Sequence, residues 1–130
     1  MPAQRILVVD DSVDSAASMA LLLQVKGHEV KTAHDGVQAL ALAADFRPTV
    51  VLLDIGLPGL DGYEVCRRIR QEPWGASPVV AALTGWGRSE DRDRAFAAGF
   101  THHLVKPVSP ETLDQVLDGA APAATGPLRS

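Results

Sequence analysis

Polar residues that could bind metal or phosphate follow four short apolar segments of the sequence. Asp10 and Asp11 follow RILVV, Asp54 follows VVLL, Thr84 follows VVAAL and Lys106 follows HLV. Each residue alone has an ordinary structural explanation, since an Asp after a strand is usually a turn former or a helix cap. A lone Lys is usually a solvated surface charge. Their recurrence at one segment after another instead favours a shared site with a chemistry of its own.

Three carboxylates held close together would repel one another unless a cation neutralised them. Two carboxylates about 4 Å apart repel by about 4 kcal/mol at an effective dielectric constant near 20. Mg²⁺ fits such a cluster, because it prefers oxygen ligands, takes one or two carboxylates and keeps waters that a phosphate can replace. With Mg²⁺ bound and Lys106 nearby, the cluster becomes a site that can receive a phosphoryl group.

These side chains meet only if the apolar segments are strands that end at one edge of a sheet. Apolar or β-branched runs predict five strands, at residues 5–9, 28–32, 50–53, 79–83 and 103–105. Helical spacing of apolar residues predicts five helices. Their markers are Ala16, Met19, Ala20 and Leu23; Val37, Leu40, Ala41 and Ala44; Val65, Cys66 and Ile69; a weaker stripe within residues 89–98; and Leu113, Val116 and Leu117.

Strands that alternate with helices predict an α/β fold, in which helices cover both faces of a parallel sheet. We expect a doubly wound, five-stranded parallel sheet with five helices, in the flavodoxin-like arrangement. In such a sheet, ligands bind at the carboxyl ends of the strands, which is where the polar residues lie.

Helix start and stop signals agree with this arrangement. Ser12 and Ser109 are expected N-caps, Pro110 suits a first helical position, and Gly27 and Gly99 lie where helices should end. Residues 1–119 are therefore expected to form one domain. Residues 120–130 have no apolar period and are expected to be a flexible tail or linker stub.

Composition and charge narrow the classes of function. The formal net charge is −4, which argues against direct binding to nucleic acid. No apolar run approaches the roughly 20 residues of a membrane span, and no signal peptide is expected at the N-terminus. Cys66 is the only cysteine, so no disulfide can form within the chain and we expect a cytoplasmic location. We expect the Cys66 side chain to be a small, buried apolar group.

The motifs VVDDS, LLDIGLPGLDG, ALTG and LVKPV, over about residues 4–118, resemble the receiver domain of bacterial two-component response regulators. The resemblance implies that Asp54 is the phospho-accepting residue. It implies that Asp11 binds Mg²⁺ directly, that Asp10 assists directly or through water, and that the backbone carbonyl of Gly56 completes the protein ligands.

The same resemblance implies roles for residues at the other strand ends. Thr84 and Lys106 would hold phosphoryl oxygens, and the Lys106–Pro107 peptide bond is expected to be cis. The phosphoryl donor would be a sensor histidine kinase or a histidine phosphotransfer protein that docks near the first helix. The chain would be a signalling phospho-acceptor with slow autodephosphorylation, not an enzyme.

Signal output is expected to depend on Thr84 and His103, with a downstream protein contacting the surface of the fourth helix, fifth strand and fifth helix. Many receivers have Tyr or Phe where this chain has His103. A histidine takes up charge near neutral pH, so a weakly pH-sensitive output is one interpretation and plain packing is the other. The charged run RSEDRDRAF is either a solvated helix face or a partner contact.

Trp86 is the second residue after Thr84, and two interpretations of it stay open. It either shields the site from water or is a surface aromatic in a loop.

Other classes of protein stay open as alternatives. A phosphorylation-independent binding module with the receiver fold is one. A phosphatase that resembles haloacid dehalogenases is remote, because those enzymes place the nucleophile in an Asp-x-Asp motif after the first strand. A flavodoxin agrees less well with the sequence than this phosphatase does, because the loop after the first strand is acidic at the place where a phosphate would have to bind. We expect the chain to be either a stand-alone single-domain regulator or the receiver of a larger protein, such as a hybrid histidine kinase.

Overall fold

Five parallel strands form one sheet in the order β2-β1-β3-β4-β5 in this computed structural model, which describes residues 3–85 and 89–119. The strands are β1 (Arg5–Val9), β2 (Glu29–Ala33), β3 (Val50–Asp54), β4 (Val79–Thr84) and β5 (His102–Val105). The helices of the described residues are α1 (Val13–Val25), α2 (Gly36–Phe46), α3 (Gly62–Gln71), α4 (Ser89–Ala98) and α5 (Pro110–Asp118). The predicted flavodoxin-like α/β fold is confirmed.

The sheet has a hydrophobic layer on each face, which explains why the sequences of its central strands are continuously apolar. Helices α1 and α5 cover one face, packing Leu23 and Leu113 against Ile6 and Val8 of β1. Helices α2, α3 and α4 cover the other face. All of Val50, Val51, Leu52 and Leu53 in β3 are fully buried, so the strand that carries Asp54 is held rigidly on both sides.

The predicted helix caps are confirmed. Ser12 and Ser109 accept hydrogen bonds from the backbone N–H groups of Ser15 and Thr112, and Pro110 is the first residue of α5. Gly27 and Gly99 follow α1 and α4 with positive φ angles of 98° and 108°, which residues with a side chain adopt only under strain. These residues therefore mark where α1 and α5 begin and where α1 and α4 end.

The apolar stripe that predicts α2 in the sequence is not the face that packs against the core. Val37 is 72% exposed, Ala41 and Ala44 are exposed, and Leu40 is half-buried. The residues that face the core are Gly36, Ala39, Ala43 and Phe46. Both stripes have helical spacing, but only the stripe of small residues allows close approach. A Cβ atom at Gly36 would lie 2.7 Å from the carbonyl oxygen of Leu60.

Cys66 is fully buried, as predicted, and burial raises the pKa of its thiol to about 11. Among the described residues, no helix has both the length and the apolar character to cross a bilayer. The predicted tail at residues 120–130 and Trp86 lie outside the part of the chain that the structure describes.

Candidate functional site

Backbone pairing continues past the strands and brings four predicted site residues to one edge of the sheet. The N–H group of Asp10, just after β1, donates to the carbonyl oxygen of Ala33 at 3.0 Å. Asp54 is the last residue of β3 and Thr84 the last of β4. The N–H group of Lys106, just after β5, donates to the carbonyl oxygen of Thr84 at 2.8 Å. The positions of these residues therefore follow from the register of the sheet.

Asp10, Asp11 and Asp54 form one acidic cluster. Each offers a carboxylate oxygen that lies within 4.8 Å of the other two. Asp10 is buried, Asp54 is half-buried and Asp11 is exposed. Asp10 Oδ1 accepts a hydrogen bond from the Ser12 N–H group at 2.9 Å, and Asp54 Oδ1 accepts one from the Gly56 N–H group at 2.8 Å. These bonds hold two of the three carboxylates in fixed orientations.

Lys106 neutralises part of the negative charge of this cluster. Its Nζ atom lies 2.9 Å from Asp54 Oδ2 and 3.5 Å from Asp10 Oδ2. Burial disfavours the ammonium, but the hydrogen bond and charge of Asp54, together with Asp10, outweigh burial and raise the pKa of Lys106 above its ordinary value. The residue is therefore charged at neutral pH. The Lys106–Pro107 peptide bond is cis.

The donor atoms of the cluster suit Mg²⁺. They are hard carboxylate oxygens on a partly open surface, which would leave positions for water or phosphate. Sulfur and imidazole ligands, which softer metals prefer, are absent from this cluster of described residues. The chemistry of the site therefore agrees with the ion that the sequence predicts.

His103 lies on the face of the sheet that α4 covers. It pairs in register with Ala82 of that layer, whereas His102 pairs with Ala81 of the opposite layer. The two histidines thus point to opposite faces, as strand geometry predicts. Burial, with a smaller effect from Arg92, lowers the pKa of His103, while Asp91 opposes the shift. Its Nε2 atom is buried and has no hydrogen-bond partner among the described residues.

Two cavities open at the site. The larger, of about 680 Å³, runs between α1 and the segment after β5, and its lining includes Asp10, Met19, Lys106 and Pro107. The smaller, of about 260 Å³, is lined by residues that include Asp54, Thr84, Tyr63 and Arg94. The acidic cluster can therefore be approached from two sides.

Sequence reasoning missed Tyr63 and Arg94. The Arg94 guanidinium carbon lies 4.1 Å from the centroid of the Tyr63 ring, beside the cavity that Asp54 lines. The two residues are on different helices, and Arg94 belongs to the charged run that the sequence suggests is solvated or contacts a partner. No pattern in the sequence connects this residue to Asp54.

Comparison with known proteins bears on the whole domain. A sequence profile of the family described as response regulator receiver domain matches residues 6–118. The DNA-binding dual master transcriptional regulator RpaA of Synechocystis is 34% identical over 109 residues, which are 84% of this chain and 45% of RpaA. The chain thus spans less than half the length of that relative.

Solved structures agree in fold. Chemotaxis protein CheY4 of Vibrio cholerae superposes with a TM-score of 0.84 and 34% identity, over 89% of this chain and 97% of its own. The receiver domain of sensor histidine kinase PA1611 from Pseudomonas aeruginosa has a TM-score of 0.81 and 33% identity, over 89% and 95%. That structure has a magnesium ion coordinated in its active site cleft.

Proposed function

The chain belongs to the response regulator receiver domain family, and on this basis we propose that it accepts a phosphoryl group on Asp54 in a Mg²⁺-dependent reaction. At the level of the family, the chain is a signalling domain of two-component systems rather than a conventional enzyme. The proposed donor is a phosphohistidine of a sensor histidine kinase or a histidine phosphotransfer protein.

One observation carries this proposal more than any other. The carboxylate of Asp54 contacts a fixed ammonium at 2.9 Å and shares a cluster with two further carboxylates within 4.8 Å. A phosphate alone would be repelled by such a cluster, and a cation would be attracted. The combination suits a nucleophilic carboxylate that reacts only when a divalent ion has neutralised its neighbours.

Each side chain has a defined part in the proposed reaction. A carboxylate oxygen of Asp54 forms a bond to phosphorus while the bond between phosphorus and the donor imidazole nitrogen breaks, and that nitrogen keeps the electron pair. The ammonium of Lys106 and the hydroxyl of Thr84 hold phosphoryl oxygens. Asp10, Asp11, Asp54 and the backbone carbonyl of Gly56 would hold Mg²⁺, which supplies charge neutralisation when bound.

We place the docking of the donor protein along the larger cavity. This groove is bounded by α1 and by the residues that follow β5, and it leads to Asp10 and Lys106. Leu22, which is 37% exposed, contributes apolar surface to it. A partner helix that presents a phosphohistidine could contact this surface while its phosphoryl group reaches Asp54.

The proposed output is a change in the surface formed by α4, β5 and α5. Thr84 would move towards the new phosphoryl group, and His103 would then turn inward into the space that Thr84 leaves. Thr84 is 3% exposed, so any movement of its side chain must alter packing around β4 and β5. A small free-energy difference between two such arrangements is enough to shift their populations. A downstream protein, rather than nucleic acid, would bind the altered surface.

We include a cytoplasmic location in the proposal, because a single free cysteine fits a reducing compartment. RpaA is a DNA-binding protein by name, and nothing in that name assigns an output to this chain.

The mass of the intact protein after incubation with Mg²⁺ and acetyl phosphate tests the proposal. The wild type and a control variant, Asp93→Asn on the exposed face of α4, should each gain one phosphoryl group. Asp54→Asn should gain none, and removal of Mg²⁺ should prevent the gain in the wild type and in Asp93→Asn. If the wild type gains no phosphoryl group from acetyl phosphate or from a phosphorylated histidine phosphotransfer protein, the phosphorylation-independent binding module is favoured instead.

A further inference from the structure

The smaller cavity lies beside Asp54 on the side of α4. Two glycines, Gly56 and Gly85, are among the residues that line it. A Cβ atom at Gly56 would lie 3.4 Å from Asp54 Oδ1, and one at Gly85 would meet no atom of the described residues within 4 Å, its chain neighbours aside. Neither position offers a side chain that could contact a group attached to Asp54. The volume of about 260 Å³ beside the carboxylate is lined instead by other side chains, among them Thr84, Tyr63 and Arg94.

Arg94 is one of these side chains, and it is held in place by an aromatic stack. Its guanidinium lies over the ring of Tyr63 at 4.1 Å, and Tyr63 packs edge-to-face against Phe100 with ring centroids 6.3 Å apart. Tyr63 and Phe100 are both buried. A guanidinium stacked on a fixed ring loses less freedom when it binds a ligand, because its plane is already oriented.

The guanidinium has its hydrogen-bond donors available. Among the residues that the structure describes, Arg94 makes no ion pair and no hydrogen bond, and its guanidinium lies against the face of the Tyr63 ring. It also carries the only positive charge among the described residues that line this cavity. Asp91 lines the cavity as well, so an anion there would depend on Arg94 to offset the negative charge of Asp91.

We propose that Arg94 contacts the phosphoryl group on Asp54, as a second positive partner that reaches it from the side of α4. The inference rests on the proposed function, since it needs Asp54 to accept a phosphoryl group. Phosphorylation adds negative charge and three strong acceptor oxygens to the edge of this cavity. Arg94 lines the same cavity as Asp54, so its guanidinium is placed to donate to one of them. The contact would tie α4 directly to the phosphorylated state, in addition to any movement of Thr84.

Binding of beryllofluoride, a phosphoryl mimic that attaches to a carboxylate, tests this contact in the presence of Mg²⁺. Arg94→Gln should weaken the apparent affinity by roughly threefold to tenfold, as expected for loss of a charge-assisted hydrogen bond near the surface. Arg94→Lys should recover part of the loss, because it keeps the charge without the planar stack. The control Arg92→Gln removes the same charge from an exposed position on the same helix that does not line the cavity, and should bind like the wild type.

Binding of Mg²⁺ alone separates a direct contact from damage to the fold. Removal of a positive charge beside the acidic cluster should leave Mg²⁺ affinity unchanged or slightly higher in Arg94→Gln, whereas a distorted site would lose affinity for both probes. Beryllofluoride affinity equal to that of Arg92→Gln, or a parallel loss of Mg²⁺ affinity, would overturn the role of Arg94. If the wild type binds no beryllofluoride and gains no phosphoryl mass, the proposed function fails together with this inference.

Discussion

Without metal, the Asp11→Asn variant should be more stable than the wild type. With Mg²⁺ present, it should be less stable than the wild type. The reason lies in the distribution of charge in the acidic cluster. Lys106 forms ion pairs with Asp10 and Asp54, at 3.5 and 2.9 Å. Asp11 has no ion pair among the described residues, although its carboxylate lies within 4.8 Å of the other two. It is therefore repelled by two neighbours without a contacting cation of its own.

The size of this repulsion follows from the distances. At 4.8 Å, two unit charges repel by about 3.5 kcal/mol at an effective dielectric constant near 20 and by about 1 kcal/mol in bulk water. Asp11 is exposed, so the lower value applies to each of its two pairs. Attraction to the more distant charge of Lys106 and screening by salt offset part of the sum. Asp11→Asn should therefore raise the free energy of unfolding by about 1 kcal/mol at low salt, or roughly 4 °C in Tm.

Mg²⁺ should reverse the order of stability. A ligand at a hundredfold excess over its Kd stabilises the protein that binds it by about 2.7 kcal/mol. The wild type should gain about this amount, and Asp11→Asn should gain much less. Thermal unfolding of both proteins, with chelator and then with increasing Mg²⁺, would show the two Tm curves crossing.

Asp93→Asn is the matched control for this experiment, since it removes a carboxylate from an exposed position on α4. Its Tm should respond to Mg²⁺ as that of the wild type does. The electrostatic reasoning is refuted if Asp11→Asn is less stable than the wild type in chelator at low salt. It is also refuted if Mg²⁺ stabilises both proteins equally.

Substitutions at Gly62 and His103 have further effects that the structure predicts. Gly62→Ala would place a Cβ atom 2.5 Å from the Cα atom of Ile55. It should therefore lower the free energy of unfolding, measured by urea denaturation, by about 1–3 kcal/mol. Gly85→Ala is the control and should have little effect, because a Cβ atom there meets no described residue within 4 Å, its chain neighbours aside. An equal effect of the two substitutions would contradict the packing. Burial, above all, lowers the pKa of His103. As the pH falls, the unfolded chain therefore takes up a proton at this histidine before the folded protein does. Stability should then decrease as the pH drops below about 6.5. His103→Phe should reduce this dependence between about pH 7 and pH 5, and an unchanged slope would show that His103 does not contribute to it.

The residues at the strand ends could be predicted from the sequence because two local rules determine their positions. Continuous apolar runs identify strands buried on both faces, and parallel strands in a doubly wound sheet end at one edge. Asp10, Asp54 and Thr84 each follow or end such a run, so their proximity needed no knowledge of side-chain packing. Cap residues such as Ser12 and Ser109 supplied the remaining boundaries.

The rotation of α2 could not be predicted in the same way. Its sequence is apolar on more than one face, so the periodicity of Val37, Leu40, Ala41 and Ala44 is as good as that of the true inner face. Which face of α2 packs inward depends on how closely the helix can approach the chain around Leu60. Gly36 allows this close approach, because a Cβ atom there would lie 2.7 Å from the carbonyl oxygen of Leu60. Close packing of small residues outweighs the burial of larger ones, and that balance is a property of the assembled layer.

The contact between Tyr63 and Arg94 is also a product of the tertiary structure. These residues are far apart in the sequence and lie on neighbouring helices, whose relative position depends on the whole layer that covers this face of the sheet. Arg94 is also exposed, and exposed arginines are common on helices. Only the assembled cavity distinguishes it from Arg92, which has the same charge two residues earlier.

The charges of the site favour an order of events in the proposed reaction. Three carboxylates against one ammonium leave a net negative charge, so a divalent cation should bind before any phosphate-bearing group approaches. Once that cation is bound, the cluster has no net charge, and Lys106 can transfer its attraction from Asp54 to the incoming oxygens. Arg94 lies outside this resting cluster and, in the proposed contact, gains an anionic partner when a phosphoryl group extends into the smaller cavity. A positive charge placed there would stabilise the phosphorylated state without competing with Mg²⁺ as directly as Lys106 does.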